Sequence, residues 1–259
     1  MNRILLLGGT SESRWISRLL LDRGLEVYGS VTTSSAEQLF SEGVKEIFVR
    51  QSRAESLQDF MADRRIEMIL DATHPFAAQI SKKAIELSKI MDIPYLRYER
   101  PSLKGHGLDN KVLWVKSLED AAQTLSRESG NILVATGAKN VTPFLAEKLL
   151  GRTFFRLLPT EMGKSRAKEH GLENSVWWDG SNPTQESVGA FLKAKAIRAA
   201  VVKDSGPQGI SLILSELCPA MKIRLLILER PILGYPLVCS NAQDLEKFLD
   251  GVRSSALNL

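Results

Sequence analysis

Two stretches of the chain place chemistry-bearing side chains where a strand turns into a helix. The first is "GGTSESR" (8–14), which follows the apolar run "RILLL". Gly8 and Gly9 allow a tight turn and a close backbone approach to a ligand. Thr10, Ser11 and Ser13 offer hydroxyls, and Glu12 sits among them. A helix starting near Ser11 points its unsatisfied N–H groups at the same place, which makes a phosphate cradle. The G-x-G-x-x-G dinucleotide fingerprint is not met, because Thr10 and Ser13 stand at its second and third positions. The second stretch is "DATHPFA" (71–77), after the apolar "MIL". Pro75 suits the first position of a helix and pushes His74 into an extended conformation, so His74 is expected as the N-cap. Asp71, Ala72, Thr73, His74 and Pro75 then line one turn. His74 there contacts a cofactor, positions a substrate or caps the helix, and Asp71 contacts the cofactor or ties down a neighbouring loop.

The elements that must position these turns alternate from the N-terminus. Short apolar strands at 3–8, 25–31, 45–50, 67–72 and 93–98 are separated by helical patterns at 11–24, 34–43, 54–65 and 75–92. Such alternation implies right-handed crossovers and a parallel sheet covered on both faces. With strand order 3-2-1-4-5, the order reverses between the first and fourth strands, where open α/β sheets bind ligands. Both special turns follow those strands. The second strand ends in Thr32, Thr33, Ser34 and Ser35, with no acid before Glu37. An acid at this place usually binds the ribose 2′-hydroxyl of NAD, so a hydroxyl run favours NADP, and a serine of the run also serves as a helix N-cap.

Residues 99–110, "ERPSLKGHGLDN", have Pro and Gly without periodicity and are expected to be a linker. Alternation then resumes to the C-terminus. The expected organisation is a dinucleotide-binding domain at 1–98, the linker, and a second α/β domain at 111–259. The expected fold class is α/β, two Rossmann-like units with parallel sheets and the active site in the cleft between them.

Bulk properties narrow the function classes. The 259 residues are 44% hydrophobic and 25% charged, as in an ordinary soluble protein. The net charge of +4 permits an anionic ligand and, without an aromatic–basic stripe, points to no nucleic-acid partner. No apolar run approaches the roughly 20 residues of a membrane span. Cys218 and Cys239 have no metal or redox spacing, and His74, His106 and His170 have no ligand-like relation to them, so no metal site and a reducing, cytoplasmic setting are expected. Short-chain dehydrogenase chemistry needs Tyr-x-x-x-Lys. The residues four beyond Tyr28, Tyr95, Tyr98 and Tyr235 are Thr32, Glu99, Ser102 and Cys239, which disfavours it.

The segments "LLLGGTSESR", "LDATHPFA", "PYLRYERP", "VATGAKNVTPF", "VVKDSG" and "ILERP" occur in an order that resembles the precorrin-6A reductase family of cobalamin biosynthesis, over nearly the whole chain. The resemblance implies NADPH-dependent reduction of a corrin-ring double bond without flavin. The hydride goes to C19 and the proton to C18, giving precorrin-6B or its cobalt form. It also implies an anionic tetrapyrrole substrate, precorrin-6A or cobalt-precorrin-6A, for which basic strand ends make physical sense. Arg97, Arg100, Thr136, Gly137, Lys139, Lys203, Ser205 and Gly206 are the candidate contacts, "KSRAKEH" (164–170) adds a basic loop or helix, and His74, Lys203 and Ser205 are the catalytic candidates. Asp204 departs from the family pattern, where a neutral residue is expected, and no glycine pair follows. An NADP-binding regulator without turnover is the competing reading, and it would need only the first unit.

Overall fold

The structure, a computed structural model, describes residues 2–51, 55–105, 107–108, 112–180 and 182–256, the last five of them by their backbone alone. His106 and part of the expected linker lie outside the described residues.

The chain divides into two compact units, 1–100 with 231–259, and 101–230. The first contains β1 (Arg3–Leu7), α1 (Glu12–Asp22), β2 (Glu26–Val31), β3 (Glu46–Val49), α2 (Leu57–Asp63), β4 (Met68–Asp71), α3 (Ala78–Ile90) and β5 (Tyr95–Tyr98). The second contains β6 (Val112–Val115), α4 (Leu118–Ser126), β7 (Asn131–Ala135), α5 (Glu147–Leu150), β8 (Thr153–Leu157), α6 (Glu161–Glu169), β9 (Val176–Trp178), α7 (Gln185–Ala194), β10 (Ile197–Lys203), α8 (Gly209–Ala220) and β11 (Arg224–Leu228). The chain then returns to the first unit as β12 (Val238–Cys239) and α9 (Ala242–Ala256).

Both sheets are parallel and six-stranded, ordered β12-β5-β4-β1-β2-β3 and β6-β11-β10-β7-β8-β9. The first matches the 3-2-1-4-5 expectation and adds a strand. Its apolar runs are buried on both faces, as a helix-covered parallel sheet requires. Ile4 and Leu6 pack with Ile16, Leu20, Leu245 and Leu249, while Leu5 and Leu7 pack with Phe60, Ile69 and Leu87. Gly8 is fixed by packing: a Cβ there would lie 2.6 Å from the Phe40 ring and from the Ser13 hydroxyl.

Several boundaries differ from the sequence expectation. Residues 231–259 complete the first unit, because β12 pairs with β5 and α9 buries Leu245 and Leu249 in the first core. The expected linker is in part core, since Leu103 is fully buried in the second unit. The chain changes unit at Arg100–Pro101 and again at Arg230–Pro231, each time after a glutamate. The helix expected over 34–43 is a 3-10 segment, Ser34–Leu39, with Thr33 rather than a serine at its N-cap position. The helical pattern of "VTPFLAEKLL" (141–150) forms one 3-10 turn, Thr142–Phe144, and the short α5, with Pro143 in the 3-10 turn. "KSRAKEH" belongs to α6, capped by the Thr160 hydroxyl, and its charge is partly matched by Glu161 and Glu169.

The return segment makes a definite demand on stability. Leu245→Ala removes a fully buried side chain and should cost about 2–5 kcal/mol. Urea denaturation would measure it, and a change under about 0.5 kcal/mol, the usual range for surface positions, would place α9 outside the first core.

Candidate functional site

In the first unit the order reverses between β1 and β4, so their carboxyl ends frame the ligand crevice. The turn after β1 is tied internally. Gly8 N–H donates to the Ser30 carbonyl over 2.9 Å. Gly9 and Thr10 N–H groups donate to the Ser13 hydroxyl over 3.0 and 3.3 Å. The Thr10 hydroxyl donates to the Ala72 carbonyl over 2.9 Å, which joins the β1 turn to the β4 turn. Thr10 and Ser13 therefore shape the cradle instead of offering hydroxyls to a ligand. Glu12 also turns away from an anion role: its carboxylate pairs with Arg100 over 2.6 Å and accepts from the Ser11 hydroxyl over 3.0 Å. Exposed Gly9 and Ser11 remain at the mouth. Gly9 has φ 107° and open space where a Cβ would stand, as a backbone that receives a phosphate needs.

The β4 turn hangs on Asp71, which is fully buried. Its Oδ1 accepts from Thr73 N–H (2.9 Å), Thr73 Oγ1 (2.7 Å) and Arg97 Nη1 (2.8 Å). Its Oδ2 accepts from Ser81 Oγ and Tyr95 Oη, both at 2.6 Å. Burial alone would raise this carboxyl, but the Arg97 charge and the three hydroxyls outweigh it and hold it below the ordinary carboxylate range. Arg97 is itself 1% exposed. It pairs with Glu99 over 2.7 Å, donates to the Thr73 carbonyl over 2.9 Å and stacks over the Tyr235 ring at 5.3 Å. Arg97 thus anchors the 71–75 turn and is buried away from any substrate carboxylate, contrary to the sequence expectation. Arg100 is likewise engaged within its own unit.

His74 and Pro75 also differ from expectation. The helix starts at Ala78, with Ala77 at the N-cap position. Pro75 is the second residue of a turn closed by Ala77 N–H donating to the His74 carbonyl over 2.8 Å. The His74 Nδ1 accepts from Phe76 N–H over 3.2 Å, so a neutral ring carries its proton on Nε2.

At the far side of the crevice, β2 is followed by Thr32, Thr33 and Ser34, with Thr33 Oγ1 and Ser35 Oγ 3.1 Å apart. A residue that the sequence reading did not single out joins them. Arg50, just past β3, donates from Nη1 to Ser30 Oγ over 3.1 Å and from Nη2 to Thr32 Oγ1. The signal for it was a basic residue at the end of the strand beside β2, which becomes readable only once strand order is known.

In the second unit β7 and β10 are neighbours at the reversal, so "VATGAK" and "VVKDSG" leave the sheet side by side. The Thr136 hydroxyl is buried without a hydrogen-bond partner, and Gly137 has φ 89° with open space at its Cβ position. Burial pulls the Lys203 ammonium down to about 8, and the charge of Lys139 adds to the shift. Asp204 is 2% exposed. It accepts from Ser102 Oγ (2.5 Å), Leu103 N–H (3.0 Å) and Gly206 N–H (3.2 Å), and pairs with Arg230 over 3.2 Å. Its charge is paired with Arg230 inside the second unit. Among the described residues there is no group of acids, histidines and cysteines able to hold a metal ion, and no helix is long and apolar enough to cross a membrane.

The family model described as precorrin-6x reductase CbiJ/CobK matches residues 3–253. The chain is 30% identical over 247 residues to the cobalt-precorrin-6A reductase of Priestia megaterium, covering 93% of this chain and 95% of that protein. It is 25% identical over 233 residues to the precorrin-6A reductase of Mycobacterium tuberculosis (strain ATCC 25618 / H37Rv), covering 90% and 91%. A solved structure titled CobK precorrin-6A reductase has the same fold, with a TM-score of 0.75 at 20% identity over 97% of each chain.

Breaking the Asp71–Arg97 pair should act through stability. Arg97→Met leaves a buried carboxylate uncompensated, and Asp71→Asn leaves a buried guanidinium short of its partner. Each should cost about 3–5 kcal/mol in urea denaturation. The Asp71 carboxyl is lowered in the fold, so its contribution is complete above its unfolded pKa and is lost as pH falls through the folded value. Arg97→Met that kept full stability and raised only substrate KM would reinstate the substrate role.

Proposed function

This chain belongs to the precorrin-6x reductase family, and we propose that it reduces precorrin-6A, or its cobalt form, to the corresponding precorrin-6B with NADPH as the donor. It is an oxidoreductase of the class that acts on a ring C=C bond, and such a reductase uses a nicotinamide cofactor. The observation that carries the cofactor assignment is the β1 turn at the reversal of the first sheet, with Gly9 open toward the crevice and Ser11 at the start of the 11-residue α1. These residues fit a dinucleotide diphosphate. The hydroxyls of Thr32, Thr33 and Ser34, with no carboxylate among them, favour the 2′-phosphate form.

The chemistry that the cofactor supplies is a hydride for one carbon of the ring double bond, with a proton required at its neighbour. The protein's share is binding and orientation. Gly9, Ser11 and the first helical turn hold the diphosphate, on a turn that Gly8 sets by donating to the Ser30 carbonyl. Asp71 and Arg97, through Thr73, keep residues 72–75 at the crevice. His74 sits in that turn, its Nδ1 accepting from Phe76 N–H. In the second unit Lys139 and Lys203 receive carboxylates of the tetrapyrrole, Ser205 and Gly206 shape the loop beside them, and the Thr136 hydroxyl has a hydrogen bond to give.

The deciding assay combines purified protein with precorrin-6A, with and without cobalt, and either NADPH or NADH, following absorbance. Turnover of neither substrate would reject the reading, and tight NADPH binding without turnover would favour a regulator. NADPH should bind at least tenfold more tightly than NADH. Equal affinities would remove the 2′-phosphate argument.

Lys203 gives a second expectation. Its ammonium is intact below about pH 8, so substrate affinity should be flat there and weaken as pH rises through that value. Lys203→Ala should remove this limb and lower kcat/KM about ten- to a hundredfold, with NADPH affinity unchanged. Loss of NADPH affinity instead would overturn the assignment of these strand ends to the substrate.

A further inference from the structure

We propose that Arg50 is the cation that recognises the 2′-phosphate of the cofactor and sets its preference for NADPH over NADH. This rests on the NADPH reading above.

The backbone brings Arg50 to the right edge of the crevice. Its N–H continues the β2–β3 pairing by donating to the Val31 carbonyl over 3.0 Å. The side chain then turns back across the carboxyl end of β2. Nη1 donates to Ser30 Oγ over 3.1 Å, and Nη2 to Thr32 Oγ1. Ser30 is fully buried, and its carbonyl accepts Gly8 N–H, the first amide of the phosphate turn. The guanidinium is therefore one residue from that turn and in contact with the hydroxyl run.

Its electrostatic situation is unusual for a half-buried arginine. Arg64 pairs with Glu46 and Glu55, and Arg97, Arg100 and Arg230 each face a carboxylate. Among the described residues Arg50 makes no ion pair, and its partners are two neutral hydroxyls. Burial lowers its pKa, and the Asp71 charge opposes that only in part, being already committed to Arg97. A guanidinium has five N–H donors in a planar fork suited to phosphate. A 2′-phosphate would supply both the missing charge and the missing acceptors, with Thr32 and Thr33 beside it. A ribose 2′-hydroxyl supplies no charge and would leave the guanidinium desolvated and uncompensated. Attraction to one cofactor and a cost against the other then come from the same side chain.

Calorimetric titration of the whole protein tests this without turnover. The ligands are NADP+, NAD+, 2′,5′-ADP and 5′-ADP. Arg50→Ala should weaken NADP+ and 2′,5′-ADP about ten- to a hundredfold and leave NAD+ and 5′-ADP unchanged. Arg50→Gln keeps a donor for Thr32 without the charge. It should lose the phosphorylated ligands as the alanine variant does, and Arg50→Lys should recover part of the loss. Thermal unfolding of each variant reports support of the β2–β3 edge separately. Unchanged NADP+ affinity in Arg50→Gln, or equal losses for NADP+ and NAD+, would overturn the proposal. Equal binding of NADP+ and NAD+ by the unsubstituted protein would overturn the NADPH reading as well. A wild-type preference that survives every Arg50 variant would overturn the role of Arg50 alone.

Discussion

Asp71 and Arg97 form an ion pair with essentially no solvent contact, and much of the first unit is arranged around satisfying it. Two buried charges are tolerable only when their remaining hydrogen-bonding capacity is met. Here the carboxylate takes Thr73, Ser81 and Tyr95 in addition to Arg97, and the guanidinium takes Glu99 and the Thr73 carbonyl. These partners come from the turn after β4, from α3, from β5 and from Glu99 just beyond it. The C-terminal return adds the Tyr235 ring, which lies over Arg97 and stacks parallel to Tyr95. A pair of this kind contributes little over an apolar replacement, but losing either partner alone leaves a buried charge uncompensated, which is costly.

The second unit repeats the arrangement with different residues. Asp204 follows β10 as Asp71 ends β4, and each strand lies at the reversal of its sheet. Asp204 accepts from Ser102 and Leu103, where the chain enters the unit, and pairs with Arg230, where it leaves. Both crossings of the chain are thereby tied into one buried carboxylate. The loop between Lys203 and Gly206 is shaped by the same group, since Gly206 N–H donates to it. An acid at this position serves the loop's geometry.

The two reversal points differ in how their polar groups are used. In the first unit, the hydroxyls of Thr10 and Ser13 are consumed in holding the turn, and Glu12 is consumed by Arg100. What faces outward is backbone, at Gly9 and Ser11, which suits a diphosphate of fixed shape. In the second unit, side chains dominate: two lysines and a buried threonine hydroxyl. Flexible cationic stems suit carboxylates carried at several places on a large ring.

The alternation of apolar runs and helical periods was enough to assign two parallel α/β units, because strand and helix periods are local properties of the chain. The glycine turn after β1 and the polar turn after β4 were legible for the same reason, together with the rule that ligands bind where strand order reverses. Roles of charged residues were not legible. Arg97 and Arg100 read as substrate contacts because they follow a strand, yet their partners are Asp71, 26 positions from Arg97, and Glu12, 88 positions from Arg100. Arg50 passed unnoticed because its nearness to Thr32 depends on β2 and β3 being adjacent. The two-residue β12 is too short for any periodicity and exists only because β5 offers it an edge. Residue type and spacing determined which elements form and where their turns fall. Only the tertiary structure decided which charges meet, since that depends on strand order and on the return of the chain, and neither is a local property.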